Sequence, residues 1–399
     1  MRRVASDGKL PPILIPQLSE SAYPVGANYR LQRIPEAWHF LALKLGFDNA
    51  FGKPDICVAT LDNGVDPKHA DVSGKLSNGL PRLIFAYDFE FGRECTDPAY
   101  LQFLQREEET NRNTAPSGAH GMAVYGIIAA ANESASGIVG IAKNTQQIAI
   151  RKLSPTTRPE YEEMYLWVAG LRSEPPSNSG QPANKLPRPA DIICICHDTI
   201  DMDDHRKSAI DQLVTEGRKV DGVPRGTVII CAAGNTGKPV SGIASHRSTV
   251  TVGNTFRLED GVEFRDRDSC IGPGLDLCAQ AQGVMSLTLQ PSTIAAFEQT
   301  SAAAPMVAAT AALMLSVNPW LTSKEVGDIL RDCANRKGLA DHDIPEIEKN
   351  PKKFAERFGH GRLDVFAAVK SAWSTLPKPT MTSKAKKLHR PCNLRVASK

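Results

Sequence analysis

Three segments far apart in the chain, VATLDNGVD (58–66), SGAHGMAVYGIIAA (117–130) and EQTSAAAPMVAATAALML (298–315), supply Asp62, His120 and Ser301. An acid, an imidazole and a hydroxyl are the set that turns a weakly nucleophilic serine into an attacking one. Each residue also has a plain structural reading. Asp62-Asn63-Gly64 is good turn chemistry, a histidine before a helix can be purely structural, and Thr300 or Ser301 can cap a helix. A fourth segment, VIICAAGNTG (228–237), ends a buried strand-like run in Ala-Ala-Gly-Asn and so supplies Asn235. A side-chain amide there can donate to the oxyanion that acyl transfer creates, an effect worth about 3–4 kcal/mol of barrier, although Gly-Asn alone is a turn.

These residues need rigid elements to hold them. Apolar runs at 56–61, 83–89, 147–153, 191–196, 226–234 and 248–254 read as strands, several of them continuous rather than alternating, as strands buried on both faces are. Helical patterns at 121–131 and 205–217 lie between them, which argues for a mostly parallel, doubly wound α/β sheet flanked by helices in a single domain. Asp62 and Asn235 then fall at the carboxyl ends of strands, where such sheets collect their sites. After Ser301 the sequence is apolar on every side as far as Leu315, the pattern of a central buried helix, and Pro305 is expected in its first turn. Thr322 or Ser323 can cap a later helix, and with Thr322 as cap Glu325 completes a capping box. Residues 92–118 and 172–190 read as surface loops.

The chain has 399 residues, with 47 basic against 44 acidic side chains and a net charge of +3. This balance gives no ground for nucleic acid or a membrane surface as partner. The apolar run at 302–317 is short of the ~18 residues a span requires and carries Pro305, so no membrane span is expected. The ILIP stretch at 13–16 is too short for the ~7–15-residue core of a signal peptide. Nine cysteines, most of them in strand-like runs and without metal-ligand spacing, suit reduced core thiols. The expectation is a cytoplasmic protein. Three parts are expected: an N-terminal extension (1–28), one domain (29–375) and a basic, disordered tail (376–399).

In the order Asp62, His120, Asn235, Ser301, the four segments resemble the subtilisin-like serine peptidases, the subtilases. That family shows D-[ST]-G, H-G-T-H-V-A-G, A-A-G-N and G-T-S-M-A-A-P-H-V-A-G; here they stand as Asp62-Asn63-Gly64, His120-Gly121-Met122-Ala123, Ala232-Ala233-Gly234-Asn235 and Gln299-Thr300-Ser301-Ala302-Ala303-Ala304-Pro305. YRLQRIPEAW (29–38), GIVGIAKN (137–144), GPGLDLCAQAQGVMS (272–286) and FGHGRLDVFAAV (358–369) extend the likeness over residues 29–370. The resemblance implies a serine endopeptidase acting on a peptide or protein. Ser301 would attack, His120 would carry the proton, Asp62 would orient the imidazole, and Asn235 with the Ser301 N–H would hold the oxyanion. The absence of G-x-S-x-G around Ser301 and the order of the triad argue against an α/β-hydrolase.

Departures from the family pattern leave two alternatives open: a subtilase-like protein that binds peptides without cutting them, and one that passes the acyl group to an amine. Gln299 replaces a glycine, Met122 and Ala123 replace Thr and His, and Gln280 replaces a proline. In ADIICICHD (190–198), Cys196, His197 and Asp198 stand where the family's substrate-pairing strand has Ser-Leu-Gly. A side chain there would narrow the cleft, or the Asp198 carboxylate would select a basic substrate residue. Ala233 and Gly234 would line the facing edge. The reaction the resemblance implies needs no cofactor. The family's structural calcium site corresponds to Asp71 and the loop with Asn132 and Ser134, where Ser134 replaces a common Asn ligand. Fewer than thirty residues precede the family-like region, too few for a large prodomain, and ILIP resembles the Leu-Ile-Pro element with which bacterial intracellular subtilisins cover their cleft.

Overall fold

The apolar runs are strands, and burial on both faces explains their composition. The computed structural model describes residues 26–89, 93–95, 120–133, 137–152, 158–174, 186–196, 200–258, 261–290 and 294–376. The expected extension and tail therefore lie almost wholly outside the described residues, as do most of the two expected surface loops. Numbered in chain order, the strands are β1 (Cys57–Asp62), β2 (Leu83–Asp88), β3 (Arg93–Glu94), β4 (Gln146–Arg151), β5 (Ile192–Ile195), β6 (Lys219–Val220), β7 (Val223–Pro224), β8 (Val228–Ala232), β9 (Val250–Arg257), β10 (Glu263–Arg265), β11 (Leu277–Gln280), β12 (Val284–Leu287), β13 (Ile294–Phe297) and β14 (Leu339–Ala340).

The main sheet runs in the order β14-β10-β9-β8-β5-β1-β4-β2-β3, with β11 also pairing β9. From β2 through β4, β1, β5 and β8 to β9, every neighbouring pair is parallel. Antiparallel pairs occur only towards the edges of this sheet, β3 on β2 and β10 on β9. β1 is central: β2 and β4 lie to one side of it, and β5, β8 and β9 lie to the other. Connections that leave in opposite directions open a crevice at the carboxyl ends of the strands, and Asp62 ends β1 at that crevice.

Alternate side chains of each strand feed two apolar layers. Val58, Cys194 and Ile230 join one core with the helices Ile34–Leu45, His120–Ala129, Thr300–Val317 and Val365–Ser374. Ala59, Ile193 and Ile229 join the other with Arg158–Val168 and Asp204–Glu216. The helices expected at 121–131 and 205–217 are the second and last of these. The capping box forms as the spacing predicts: the Thr322 hydroxyl accepts the Glu325 N–H while the Glu325 carboxylate accepts the Thr322 N–H.

The helix Thr300–Val317 corrects two expectations. It is 18 residues long and apolar enough to span a membrane by length and composition, yet every residue of it is buried inside the protein. Pro305 lies in its interior, past the first turn, because the helix begins at Thr300. A proline lacks the N–H that would bond to the carbonyl four residues earlier, here that of Ser301. Cys196 fills that place, its thiol donating to the Ser301 carbonyl with Sγ 3.7 Å from the oxygen. The antiparallel hairpin of β12 and β13 was not anticipated from the sequence.

Candidate active site

Asp62 and His120 form one closed unit. The Asp62 side chain is 1% exposed, and its Oδ1 accepts both the Asn63 N–H and the His120 Nδ1–H, each at 2.7 Å. This bond fixes the tautomer that leaves His120 Nε2 to act as an acceptor. Asn63 holds the histidine from the backbone side as well, since its Oδ1 accepts the Gly121 N–H at 2.6 Å. Gly121 is needed for that approach: a Cβ there would stand 2.3 Å from the Gly64 carbonyl oxygen. His120 opens the helix His120–Ala129, and its imidazole keeps 21% exposure, enough to meet a ligand. Burial of the ring works against protonation, but the Asp62 charge and hydrogen bond outweigh it and raise the His120 pKa above its usual value.

The Ser301 side of the crevice is built around Asn235. Asn235 Oδ1 accepts the Thr300 N–H at 3.1 Å and the Thr300 hydroxyl at 2.7 Å. Because only the oxygen of the amide can accept a backbone N–H, its NH2 group faces the other way. Thr300 in turn accepts the Gly234 N–H on its hydroxyl, locking the end of β8 to the helix start. Ser301 is the next residue, and as a first-turn residue its own N–H has no carbonyl one turn earlier to receive it. Phe297 sets its ring edge-on against His120, with centroids 5.0 Å apart and planes at 83°. The His120 helix also packs on the helix that bears Ser301.

Gln299, directly before Thr300, adopts φ +67° and ψ −165°. That region is essentially reserved for glycine, the residue the family pattern has here, so the side chain imposes strain at the entry to the helix.

The remaining expected residues divide. Cys196 is half-buried at the end of β5, and a hydrogen bond with Cys194 together with burial pushes its thiol well above the ordinary range, so it stays protonated. Ala233 is buried and Gly234 sits at φ +98°, backed by Cys270, whose N–H donates to the Gly234 carbonyl at 2.9 Å. His197 and Asp198 lie outside the described residues, as does Ser134. Asp71 is buried, with Oδ1 accepting the Glu133 N–H at 2.7 Å, while Asn132 is exposed in a left-handed turn. Asn63, Thr300 and Phe297 were missed from sequence. Asn63 and Thr300 adjoin flagged residues, and their side-chain acceptors were the available signal; Phe297 has none, because its contact depends on how a hairpin folds.

Comparison with known proteins gives the family and the fold. The Subtilase family model matches residues 53–361. An extracellular protease of Xanthomonas campestris pv. campestris is 25% identical over 84% of this chain and 57% of its own length. Subtilisin NAT of Bacillus subtilis subsp. natto is 28% identical over 71% of this chain and 61% of its own. The chain thus spans about three-fifths of the length of these relatives. A solved structure of proteases from Pseudoalteromonas arctica covers 85% of this chain and 98% of its own, with a TM-score of 0.55 at 22% identity, a likeness of fold. With the family match running across the elements that carry Asp62, His120, Asn235 and Ser301, the chain belongs to the subtilase family.

Proposed function

We propose that the chain is a serine endopeptidase, cleaving peptide bonds of a peptide or protein through an acyl-enzyme. The observation that carries this reading is the 2.7 Å bond between buried Asp62 and His120, whose ring meets Phe297 three residues before the helix that bears Ser301. As the Ser301 hydroxyl attacks the scissile carbonyl, His120 Nε2 takes its proton, and the Asp62 carboxylate stabilises the imidazolium. The proton then passes to the leaving amine, the C–N bond breaks, and a water repeats the cycle on the ester. Asn235 Nδ2 and the Ser301 N–H would donate to the carbonyl oxygen as it gains charge. Nothing in these steps calls for a cofactor. The substrate would lie between the ends of β5 and β8, along Cys196 on one side and Ala233 and Gly234 on the other. The eight described cysteines are free thiols, six of them buried, which supports a reducing, cytoplasmic setting.

The test is hydrolysis of a set of unrelated internally quenched peptides by the full chain and by Ser301→Ala. Cleavage at internal bonds that Ser301→Ala abolishes supports the reading. Equal cleavage by both, or none by a folded chain, would contradict it.

A further inference from the structure

The corner that holds Asp71 already contains its own cations. Arg82 lies just before β2 with its side chain only 4% exposed. Its Nε donates to the Lys143 carbonyl at 2.9 Å and its Nη2 to the Lys75 carbonyl at 3.1 Å, with the Glu133 carboxylate 3.9 Å from Nη2. Gly74 makes room for this: a Cβ there would stand 2.5 Å from Arg82 Nη1 and 2.6 Å from Glu133 Oε1. The Lys143 ammonium donates to the Ala131 carbonyl at 3.3 Å, and it senses Arg82 as a like charge and Glu133 and Asp71 as opposite ones. Asp71 is tied to the same segment, its Oδ1 accepting the Glu133 N–H and its carbonyl the Ala131 N–H.

A calcium ion asks for six to eight oxygens in a site of net negative charge. Here three carbonyl oxygens, of Lys75, Lys143 and Ala131, are taken by nitrogen donors, the Glu133 carboxylate lies 3.9 Å from Arg82, and the charges of Glu133 and Asp71 act on Lys143. Among the described residues no group of three or more His, Cys, Asp or Glu gathers that could hold a metal. The described residues at Asp71 therefore do not suit the ion that the family pattern implies there. We propose instead that the Arg82 guanidinium, assisted by the Lys143 ammonium, is a built-in cation that does the structural work of calcium, so that this corner is held without metal.

The test reads thermal unfolding of the full chain carrying Ser301→Ala, which removes self-cleavage and leaves the outcome independent of the catalytic reading. No rise of the midpoint from excess EDTA to millimolar calcium that depends on Asp71 is expected, and Arg82→Gln lowers the midpoint by several degrees in both media. The comparison with EDTA needs no Arg82 variant, so a failure of Arg82→Gln to fold does not remove it. A saturable rise with calcium that Asp71→Asn abolishes would overturn the proposal. A rise that survives Asp71→Asn comes from an ion held elsewhere and leaves Asp71 metal-free, as proposed. Should Asp71→Asn not fold, Glu133→Gln, on a half-exposed side chain, makes the same comparison.

Discussion

Asn235 accepts the N–H and the hydroxyl of Thr300 on one oxygen, at 3.1 Å and 2.7 Å, so the residue before Ser301 sets which way the Asn235 amide points. Replacing Asn235 with Ala should lower kcat about 100- to 1,000-fold with little change in KM, because the lost donor acts on the transition state. Thr300→Val keeps the shape and removes the hydroxyl. It should lower kcat about tenfold, the rate equivalent of one net hydrogen bond of about 1.4 kcal/mol. Steady-state kinetics on one peptide compare both variants.

Asn63 is buried and placed to position His120 through the backbone of the next residue. Its Oδ1 accepts the Gly121 N–H at 2.6 Å, and Asn63→Ala would leave that buried donor without its partner. A stability loss of about 1–3 kcal/mol in urea unfolding is expected. A drop in kcat at unchanged KM should accompany it, since a misplaced imidazole harms the proton transfer more than binding. Unchanged kcat would remove Asn63 from any positioning role.

Gln299 stores strain that a glycine would not. Its φ of +67° with ψ of −165° costs about 1–3 kcal/mol for a non-glycine residue, and its side chain is exposed, so little packing is lost on removal. Against this, glycine loses about 0.5–1 kcal/mol more backbone entropy on folding. Gln299→Gly should therefore stabilise the fold by about 1 kcal/mol, read from the urea midpoint at constant slope.

The raised His120 pKa has two consequences of opposite use. Catalysis needs the neutral ring, so the acid limb of kcat/KM should lie above the ordinary histidine value of about 6.5. Asp62→Asn removes the charge that raises it and should shift that limb down while lowering kcat by about 10⁴. For stability the sign reverses: protonation is favoured in the folded state, so the ion pair's contribution is fully present below about pH 6.5 and is lost as pH rises through the folded pKa. Unfolding of Ser301→Ala across this window, set against the same variant carrying Asp62→Asn, isolates it.

Much of this was legible from sequence because the informative signals are local. β1, β4, β5 and β8 are buried on both faces and so read as continuous apolar runs, and the Thr322–Glu325 capping box is a four-residue pattern. Asp62, His120 and Ser301 were singled out because each ends or opens an element, and Asn235 because it closely follows one. The hairpin of β12 and β13 was missed: its strands are four residues each and pair only with one another. Pro305 was misplaced by part of a turn because the helix start depends on Gln299, whose backbone angle no composition rule gives. Arg82 was invisible for a related reason, since its partners Lys75, Glu133 and Lys143 lie in separate segments that only the fold brings together.

The central claim is that Ser301 is an activated nucleophile, and a fluorophosphonate that phosphonylates such serines tests it directly. Intact-mass and peptide mapping of the full, folded chain should show one adduct, on Ser301, formed rapidly in the wild type and suppressed in His120→Ala. No adduct on the folded wild type, or labelling at Ser301 that proceeds equally well without His120, would contradict the account.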